Sequence, residues 1–253
     1  MHMHPFYREE DLFPREFTQL IQRPWGNLYY SPDNPDSYDS NHALILRDQV
    51  DDLPAVLQEI TDFYLRRSRT PIIYQSILDD GWFGEIEGAL AAAGYHSWQE
   101  TQYWMLLVED SRITAQADVR RVTAWTEELA SHLYLAAGEP WEIAVARRQL
   151  ENANTLYFAA FVEDKPVGAI YGHVNREGIC RIDYLLVATA HRGKGLGRAL
   201  THAFVTHCRK EGIPCALWPD GDTPRRIYEE AGFRFVTSKQ AGRAVYALQK
   251  ADL

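Results

Sequence analysis

The stretch LLVATAHRGKGLGRALTHAF, residues 185–204, decides how this chain is interpreted. An apolar run leads into three glycines at alternate positions, Gly193, Gly195 and Gly197, which stand among basic residues and precede a helical pattern. In a glycine-rich turn at a helix N-terminus, successive backbone N–H groups point the same way and, with the helix dipole, attract an anion. Because glycine has no Cβ, a pyrophosphate can approach closely. The stretch predicts a phosphate-binding loop, with a basic strand-to-helix turn as the alternative.

The loop has the pattern R-x-x-G-x-G, formed by Arg192, Gly195 and Gly197. It is not a P-loop, because no G-x-x-x-x-G-K-[ST] sequence is present. It is not a dinucleotide-binding fingerprint either, because the third glycine of G-x-G-x-x-G is missing. A different kind of phosphate site is therefore indicated.

The composition indicates a folded protein without an extended nucleic-acid or membrane surface. The chain has 253 residues, 46% of them hydrophobic, which suffices for one large or two ordinary domains. The net charge of -9 opposes a broad nucleic-acid surface, which needs a basic face. No apolar run approaches the ~20 residues of a membrane span, and the first residues lack the order of a signal peptide. We expect a cytoplasmic protein with no nucleic-acid or membrane partner.

The three cysteines, Cys180, Cys208 and Cys215, are odd in number and have no C-x-x-C spacing. This pattern indicates neither a disulfide framework nor a zinc site. We expect each to be a small buried hydrophobic residue, with no metal bound.

The pattern of elements divides the chain into two domains. The first half predicts strand NHALILRD, a helix over 53–68, strand TPIIYQSI, a helix closed by Gly94, and a strand pair ending in TQYWMLLVED. The stretch EDSRITAQAD, residues 109–118, is interpreted as the linker. We therefore expect an N-terminal domain over residues 1–112 and a C-terminal domain over residues 113–253.

The second half predicts its own series of elements. Strand DVRRVT precedes two helices, the second with Pro140 near its start, and three antiparallel strands turned by EDKP and NREG. The glycine loop and a helix to about Lys210 follow, then strand PCALWP, helix PRRIYEEAG and a closing strand pair ending in AVYAL. The end of this series can be aligned with IEGALAAAGYHSWQETQYWML of the first half. The likeness indicates an internal repeat, or only the order of helix, glycine and strand that many α/β units share.

Two stretches of the second half, YLLVATAHRGKGLGRAL and RIYEEAGF, closely resemble the GNAT family of acetyl-CoA-dependent N-acyltransferases. In that family a valine-like residue stands five positions ahead of the loop arginine, here Val187 and Arg192, and a later helix carries Tyr-Glu-x-x-Gly-Phe, here beginning at Tyr228. The resemblance covers roughly residues 118–250. It implies an α/β (α+β) fold with a mixed, mostly antiparallel central sheet flanked by helices, and an N-acetyltransferase activity.

The resemblance also implies how acetyl-CoA, the co-substrate, is held. When an amine attacks the thioester of acetyl-CoA, negative charge develops on the carbonyl oxygen. Backbone N–H groups at a splayed strand end near Leu185, Leu186 and Val187 would stabilise this oxyanion, an effect of ~3 kcal/mol per donor in comparable sites. The pyrophosphate would be held by the loop amides of Gly193, Lys194, Gly195, Leu196, Gly197 and Arg198. The side chains of Arg192, Lys194 and Arg198 would add charge, or else they are solvated loop cations.

One position departs from the family pattern. The family often has an asparagine seven residues before the motif tyrosine, where this chain has Gly221 with Asp222 beside it. Asp222 is carried over as the residue near the pantetheine arm, or it serves a different hydrogen bond or none.

By its place in the motif, Tyr228 would protonate the departing thiolate. The reference pKa of a phenol, ~10, is near enough to that of a thiol for this transfer. The alternative is an aromatic residue that packs the helix against the sheet.

For the base we expect Asp183. It lies four residues before Val187, so strand alternation predicts that both side chains share a face, and it is a lone acid within CRIDYLLV. An ion pair with Arg181 is the alternative role, and His173 is a second candidate for the base.

The first half lacks the glycine loop. After NHALIL it has Asp48, Asp51 and Asp52, which would repel a pyrophosphate. We interpret residues 1–112 as a degenerate GNAT-like domain that shapes the acceptor cleft. The expected acceptor is a small-molecule or peptide amine, a homodimer is left open, and the alternative function is a non-catalytic module that binds or senses acyl-CoA.

Overall fold

The computed structural model describes residues 4–247, which form two compact units. Unit 2 is Tyr103–Ser238, and unit 1 is the described part of Met1–Gln102 together with that of Lys239–Leu253. The sequence instead predicts a boundary after residue 112 and a C-terminal domain that keeps the closing strands. The structure differs because the last strand is long and its final residues belong to unit 1.

The elements are as follows in chain order. The strands are β1 (Gln19–Arg23), β2 (Gly26–Tyr30), β3 (Ala43–Ile45), β4 (Ile72–Gln75), β5 (Tyr95–Leu107), β6 (Asp118–Arg121), β7 (Thr155–Val162), β8 (Lys165–Val174), β9 (Cys180–Val187), β10 (Cys215–Leu217) and β11 (Phe233–Tyr246). The α-helices are α1 (His4–Leu12), α2 (Leu53–Leu65), α3 (Trp82–Glu85), α4 (Glu87–Ala92), α5 (Leu135–Ala137), α6 (Glu142–Leu150), α7 (Leu196–Lys210) and α8 (Asp222–Glu230). A π-helical turn, Leu129–Tyr134, leads directly into α5.

In unit 1 the strands follow the order β1-β2-β3-β4-β11. The pairings are antiparallel except that of β3 with β4, which is parallel and is connected through α2. Helix α2 presents Leu57, Ile60 and Tyr64 to a core that also contains Ile73 and Leu90. These apolar positions recur at helical spacing, which is why the sequence predicts this helix correctly.

In unit 2 the order is β5-β10-β9-β8-β7-β6, with only the β9–β10 pairing parallel. Helices α7 and α8 cover one face of this sheet, where Leu200, Phe204 and Phe233 lie in one buried cluster. The π-helical turn, α5 and α6 cover the other face around Leu133 and Tyr157. The predicted mixed, mostly antiparallel sheet flanked by helices is therefore confirmed.

The two predicted strand pairs, one closing each half, are instead the single long strands β5 and β11. Neither strand, both of which lie wholly among the described residues, contains a residue with positive φ that would make a tight hairpin turn. Position 242 in β11 requires glycine for a reason other than a turn, because a Cβ on Gly242 would lie 2.7 Å from the Phe83 ring. This glycine marks a close approach inside a strand, not a turn.

No helix within residues 4–247 is long and apolar enough to span a bilayer.

Candidate functional site

The glycine loop lies between the end of β9 and the start of α7. Gly193 and Gly195 have φ values of 76° and 82°, and a Cβ at either would meet nothing within 4 Å. Gly195 is the N-cap of α7, and no side chain of the described chain caps that helix. The first N–H groups of a helix have no partner within the helix. This junction therefore presents backbone donors and open space where an anion can lie.

Two basic side chains of the loop stabilise it through hydrogen bonds to the backbone. The Arg192 Nε donates to the carbonyl oxygen of Val187 at 3.0 Å, which ties the loop to the last residue of β9. The Lys194 ammonium donates to the carbonyl oxygen of Ala190 at 3.0 Å. Both groups are exposed, so they add positive charge beside the open N–H groups while they stabilise the turn.

The other two charged candidates, Arg198 and Asp222, each form an ion pair with a residue of α8. Arg198 donates to the Glu230 carboxylate, with Nη2 to Oε1 at 2.9 Å. Asp222 is exposed and lies 3.0 Å from the guanidinium of Arg225, one turn along the same helix. This ion pair lies within the first turn of α8, and the place of Asp222 near the pantetheine arm stays a prediction.

Strands β9 and β10 diverge beside the loop. Their parallel pairing joins Cys180 to Cys215 and Arg181 to Ala216, while β9 continues to Val187. On its other edge β9 stays paired with β8 up to that residue. The segment that contains the predicted oxyanion residues, Leu185, Leu186 and Val187, therefore has one edge without a ladder partner among the described strands.

A β-bulge interrupts β9 at Asp183. In the pairing with β8, Tyr171 lies opposite Tyr184 and Gly172 lies opposite Ile182, so that Asp183 is the extra residue. Such a bulge re-aims side chains and is frequent next to active sites.

The bulge contradicts the expectation that Asp183 and Val187 share a face. Ile182 and Val187 both pack with the α7 core, although they are five residues apart and simple alternation would place them on opposite faces. Tyr184 packs into the core on the other face, and the extra residue places Asp183 on that same face. The alternation argument fails because a bulge shifts its phase by one residue.

Asp183 forms an ion pair with Arg181, as one of the two sequence interpretations expects. Both side chains are mostly buried, with 18% of the Asp183 side chain and 15% of the Arg181 side chain exposed. His173, the second candidate for the base, is buried on β8 directly opposite Arg181. All three lie near the bulge.

Tyr228 is buried in the core of unit 2, on the helix beside the glycine loop. Its ring meets Phe233 edge to face at 5.7 Å, and only 6% of the residue is exposed. Its neighbour Ile227 lies 3.7 Å from where a Cβ of Gly197 would be, so α8 packs against the start of α7. Burial raises the pKa of Tyr228, so the phenol is protonated at neutral pH and is a weaker acid than a free phenol.

A ladder of tyrosines that sequence reasoning missed runs across the face of Asp183. Tyr157 stacks on Tyr171 at 5.4 Å, and Tyr171 stacks on Tyr184 at 5.9 Å, on three adjacent strands. The Tyr171 hydroxyl donates to Glu142, a carboxylate only 2% exposed at the start of α6. The sequence does show one tyrosine in each of three successive strands. Whether the three rings stack depends on the pairing register of the strands, which the sequence alone does not give.

Glu139 and Trp141 complete this acidic and aromatic face. The Trp141 Nε1 donates to Glu139 Oε2 at 2.7 Å, and its ring meets Tyr184 edge to face at 6.2 Å. Burial, followed by the charge of Glu142, raises the pKa of Tyr184. Carboxylates beside aromatic faces attract a cation, so this face suits a protonated amine.

Comparison with known proteins found one family model that matches part of the chain. Residues 119–233 match the model of the acetyltransferase (GNAT) family. This segment runs from β6 to the start of β11 and contains the glycine loop, Asp183 and Tyr228. A search of curated proteins found no match.

Solved structures share the fold along nearly the whole chain. A GCN5-related N-acetyltransferase from Kribbella flavida superposes with a TM-score of 0.66 at 16% identity, over 98% of this chain and 97% of that one. A functionally unknown conserved protein from Staphylococcus epidermidis gives 0.55 at 16% identity, over 90% and 94%. A GCN5-related N-acetyltransferase from Sphaerobacter thermophilus gives 0.54 at 15% identity, over 94% and 85%. At these identities the likeness is one of fold, and with the family match it supports an acyl-CoA-dependent acetyltransferase in general.

Proposed function

From the premise that residues 119–233 form a domain of the acetyltransferase (GNAT) family, we propose that this protein is an N-acetyltransferase. It moves the acetyl group of acetyl-CoA to a primary amine by direct attack while both substrates are bound. The observation that carries the proposal is the junction of β9 and α7. There, among the described residues, a helix N-terminus with two left-handed glycines and no side-chain cap lies beside a strand edge without a ladder partner.

The residues at this junction fit a pyrophosphate. Open space around Gly193 and Gly195 leaves room for phosphate oxygens, and the first N–H groups of α7 supply donors. Arg192 and Lys194 add charge from exposed positions while they hold the turn. When bound there, acetyl-CoA supplies the activated acetyl thioester.

The open edge of β9 stabilises the developing negative charge. Backbone N–H groups near Leu185, Leu186 and Val187 are fixed by the pairing of the other edge with β8, so they need no rearrangement as charge forms on the carbonyl oxygen. Tyr228, whose phenol is protonated at neutral pH, donates its hydroxyl proton to the departing thiolate.

The acceptor amine enters on the face of Tyr184, Glu139 and Trp141. The two rings and the carboxylate hold the ammonium group, and Asp183, placed on this face by the bulge, takes its proton directly or through water. Among the described residues unit 1 has no glycine loop at the corresponding junction, and we propose that it is a degenerate GNAT-like domain.

A screen of amine acceptors with acetyl-CoA, read by release of free thiol, tests the proposal. We expect amine-dependent thiol release with at least one cationic primary amine, and no release by a Gly195→Asp variant. A protein that binds acetyl-CoA but releases no thiol with any class of amine is instead the non-catalytic acyl-CoA-binding module.

A further inference from the structure

The three cysteines of the chain meet inside unit 2. Cys180 is the first residue of β9, Cys215 is the first residue of β10, and Cys208 lies in the last turn of α7. Their sulfur atoms all lie within 4.8 Å of one another, and the residues are 0%, 1% and 0% exposed. The sequence does not predict this cluster, because the three residues come from separate elements with no metal-binding spacing.

Backbone contacts fix the three positions independently of the thiols. Cys180 and Cys215 are partners in the parallel pairing of β9 and β10. The N–H of Cys180 donates to the carbonyl oxygen of Pro214 at 2.8 Å, and the N–H of Ile213 donates to that of Cys208 at 2.8 Å. The connection from α7 to β10 thus holds the thiols together before any ion is bound.

We propose that Cys180, Cys208 and Cys215 bind one soft metal ion in three-coordinate sulfur geometry, and that Cu(I) is the ion that fits. Thiolate ligands select soft ions such as Cu(I). Three sulfurs placed ~2.3 Å from a central ion lie about 4 Å apart, which agrees with the observed cluster.

Zinc fits this cluster less well. Structural zinc sites have four ligands, and among the described residues the group contains no fourth histidine, cysteine, aspartate or glutamate. The three cysteines are at most 1% exposed, so the cluster is closed to bulk solvent. The cluster therefore supplies the complete ligand set of a three-coordinate ion.

The binding step balances in protons and charge. Each thiol that becomes a ligand releases one proton, so Cu⁺ and three thiols give a tris-thiolate complex of charge 2− and three protons.

The site is remote from the proposed reaction. Helix α7 begins at the glycine loop and reaches Cys208 after twelve residues, a rise of ~18 Å at 1.5 Å per residue. The ion would join the C-terminal end of α7 to the first residues of β9 and β10, so it would stabilise unit 2 without taking part in acetyl transfer. The inference does not depend on the proposed function.

Anaerobic titration of the full chain with Cu(I), in competition with a chromophoric Cu(I) chelator, tests the site. We expect one ion per chain and a rise in the unfolding temperature of the protein upon binding. In Cys208→Ser the affinity should fall by more than about tenfold, since even the loss of supporting residues around a metal has an effect of that size.

Val205→Ala is the matched control. It removes buried volume from the same face of α7 and leaves the three sulfurs in place, so it should lower the unfolding temperature yet still bind Cu(I) with wild-type affinity. Two results would overturn the proposal: a wild-type chain that takes no ion from the chelator, or a Cys208→Ser chain that binds Cu(I) as tightly as wild type.

Discussion

The junctions β3–α2 and β9–α7 have the same topology but different chemistry. In each unit a three-stranded antiparallel meander ends in a strand that is followed by a helix and then by a parallel strand. The N-cap of α2 is Asp52, whose carboxylate accepts from the N–H of Ala55 at 3.1 Å. The N-cap of α7 is Gly195, which is in the left-handed region and has no side-chain cap from residues 4–247. One helix binds its own carboxylate, whereas the other is open to an external anion.

The helices that follow differ in a similar way. Helices α4 and α8 are each followed by a glycine with positive φ, Gly94 and Gly232. Four residues before that glycine, unit 1 has Leu90 and unit 2 has Tyr228, and both side chains are buried. The two units share this order of strands and helices, and among the described residues unit 2 alone combines an open helix N-terminus with Tyr228, the proposed proton donor.

Tyr228→Phe should have the largest effect. It removes the hydroxyl, so kcat should fall by ~100- to 10,000-fold while the affinity for acetyl-CoA stays near wild type. Steady-state kinetics with the best acceptor amine measure the first effect, and calorimetry measures the second. The control is Tyr64→Phe in unit 1, which loses a hydrogen bond to the Tyr29 carbonyl oxygen and should lower stability alone. A Tyr228→Phe enzyme that keeps more than about half of its kcat would remove Tyr228 from the mechanism.

Asp183→Asn should have the next largest effect, on the pH dependence of the rate. If the carboxylate takes the amine proton, the rate falls and the acidic limb of the pH–rate profile is lost. Arg181→Gln keeps the carboxylate but removes a guanidinium that favours its ionised form, so the acidic limb should move to higher pH. If instead both variants keep the wild-type profile and only unfold more easily, Asp183 is a structural ion-pair residue.

Asp52→Ala should have the smallest effect, confined to unit 1. The loss of the N-cap of α2 should lower the free energy of unfolding by ~1 kcal/mol and leave acetyl-CoA binding unchanged. Urea unfolding measures the change, with Asp51→Ala at the preceding exposed position as the control. An Asp52→Ala chain with weakened acetyl-CoA binding would mean that unit 1 also takes part in holding the donor.

The sequence predicts the scaffold of the site better than its details. The turns EDKP and NREG and the apolar runs between them predict β7, β8 and β9, and the glycines predict the open start of α7. The bulge at Asp183 is not predictable from alternation, because the extra residue depends on how β9 pairs with β8. The buried Glu142 was missed because a glutamate in the first turn of a helix is ordinarily exposed and needs no buried partner.

The long strands were missed for a similar reason. The polar residues within β5 and β11 resemble turns in sequence, while the pairing that keeps them extended joins segments far apart in the chain. The strands β1 and β2 of unit 1 were not predicted at all, since their alternation is short and their burial depends on β3. Local sequence patterns thus predict the elements that form locally. The strands that depend on pairing between distant segments cannot be predicted in this way.

The most direct test of the difference between the two junctions is calorimetric titration of acetyl-CoA into wild type, Gly195→Asp and Gly212→Asp. The two glycines flank α7, have similar positive φ values of 82° and 69°, and leave open space around a Cβ, so the variants have comparable effects on the backbone. We expect one acetyl-CoA per chain, wild-type affinity in Gly212→Asp, and a large loss of affinity in Gly195→Asp, where a carboxylate lies against the pyrophosphate. Equal affinities in the two variants, with both folded, would contradict the assignment of the phosphate site to the start of α7.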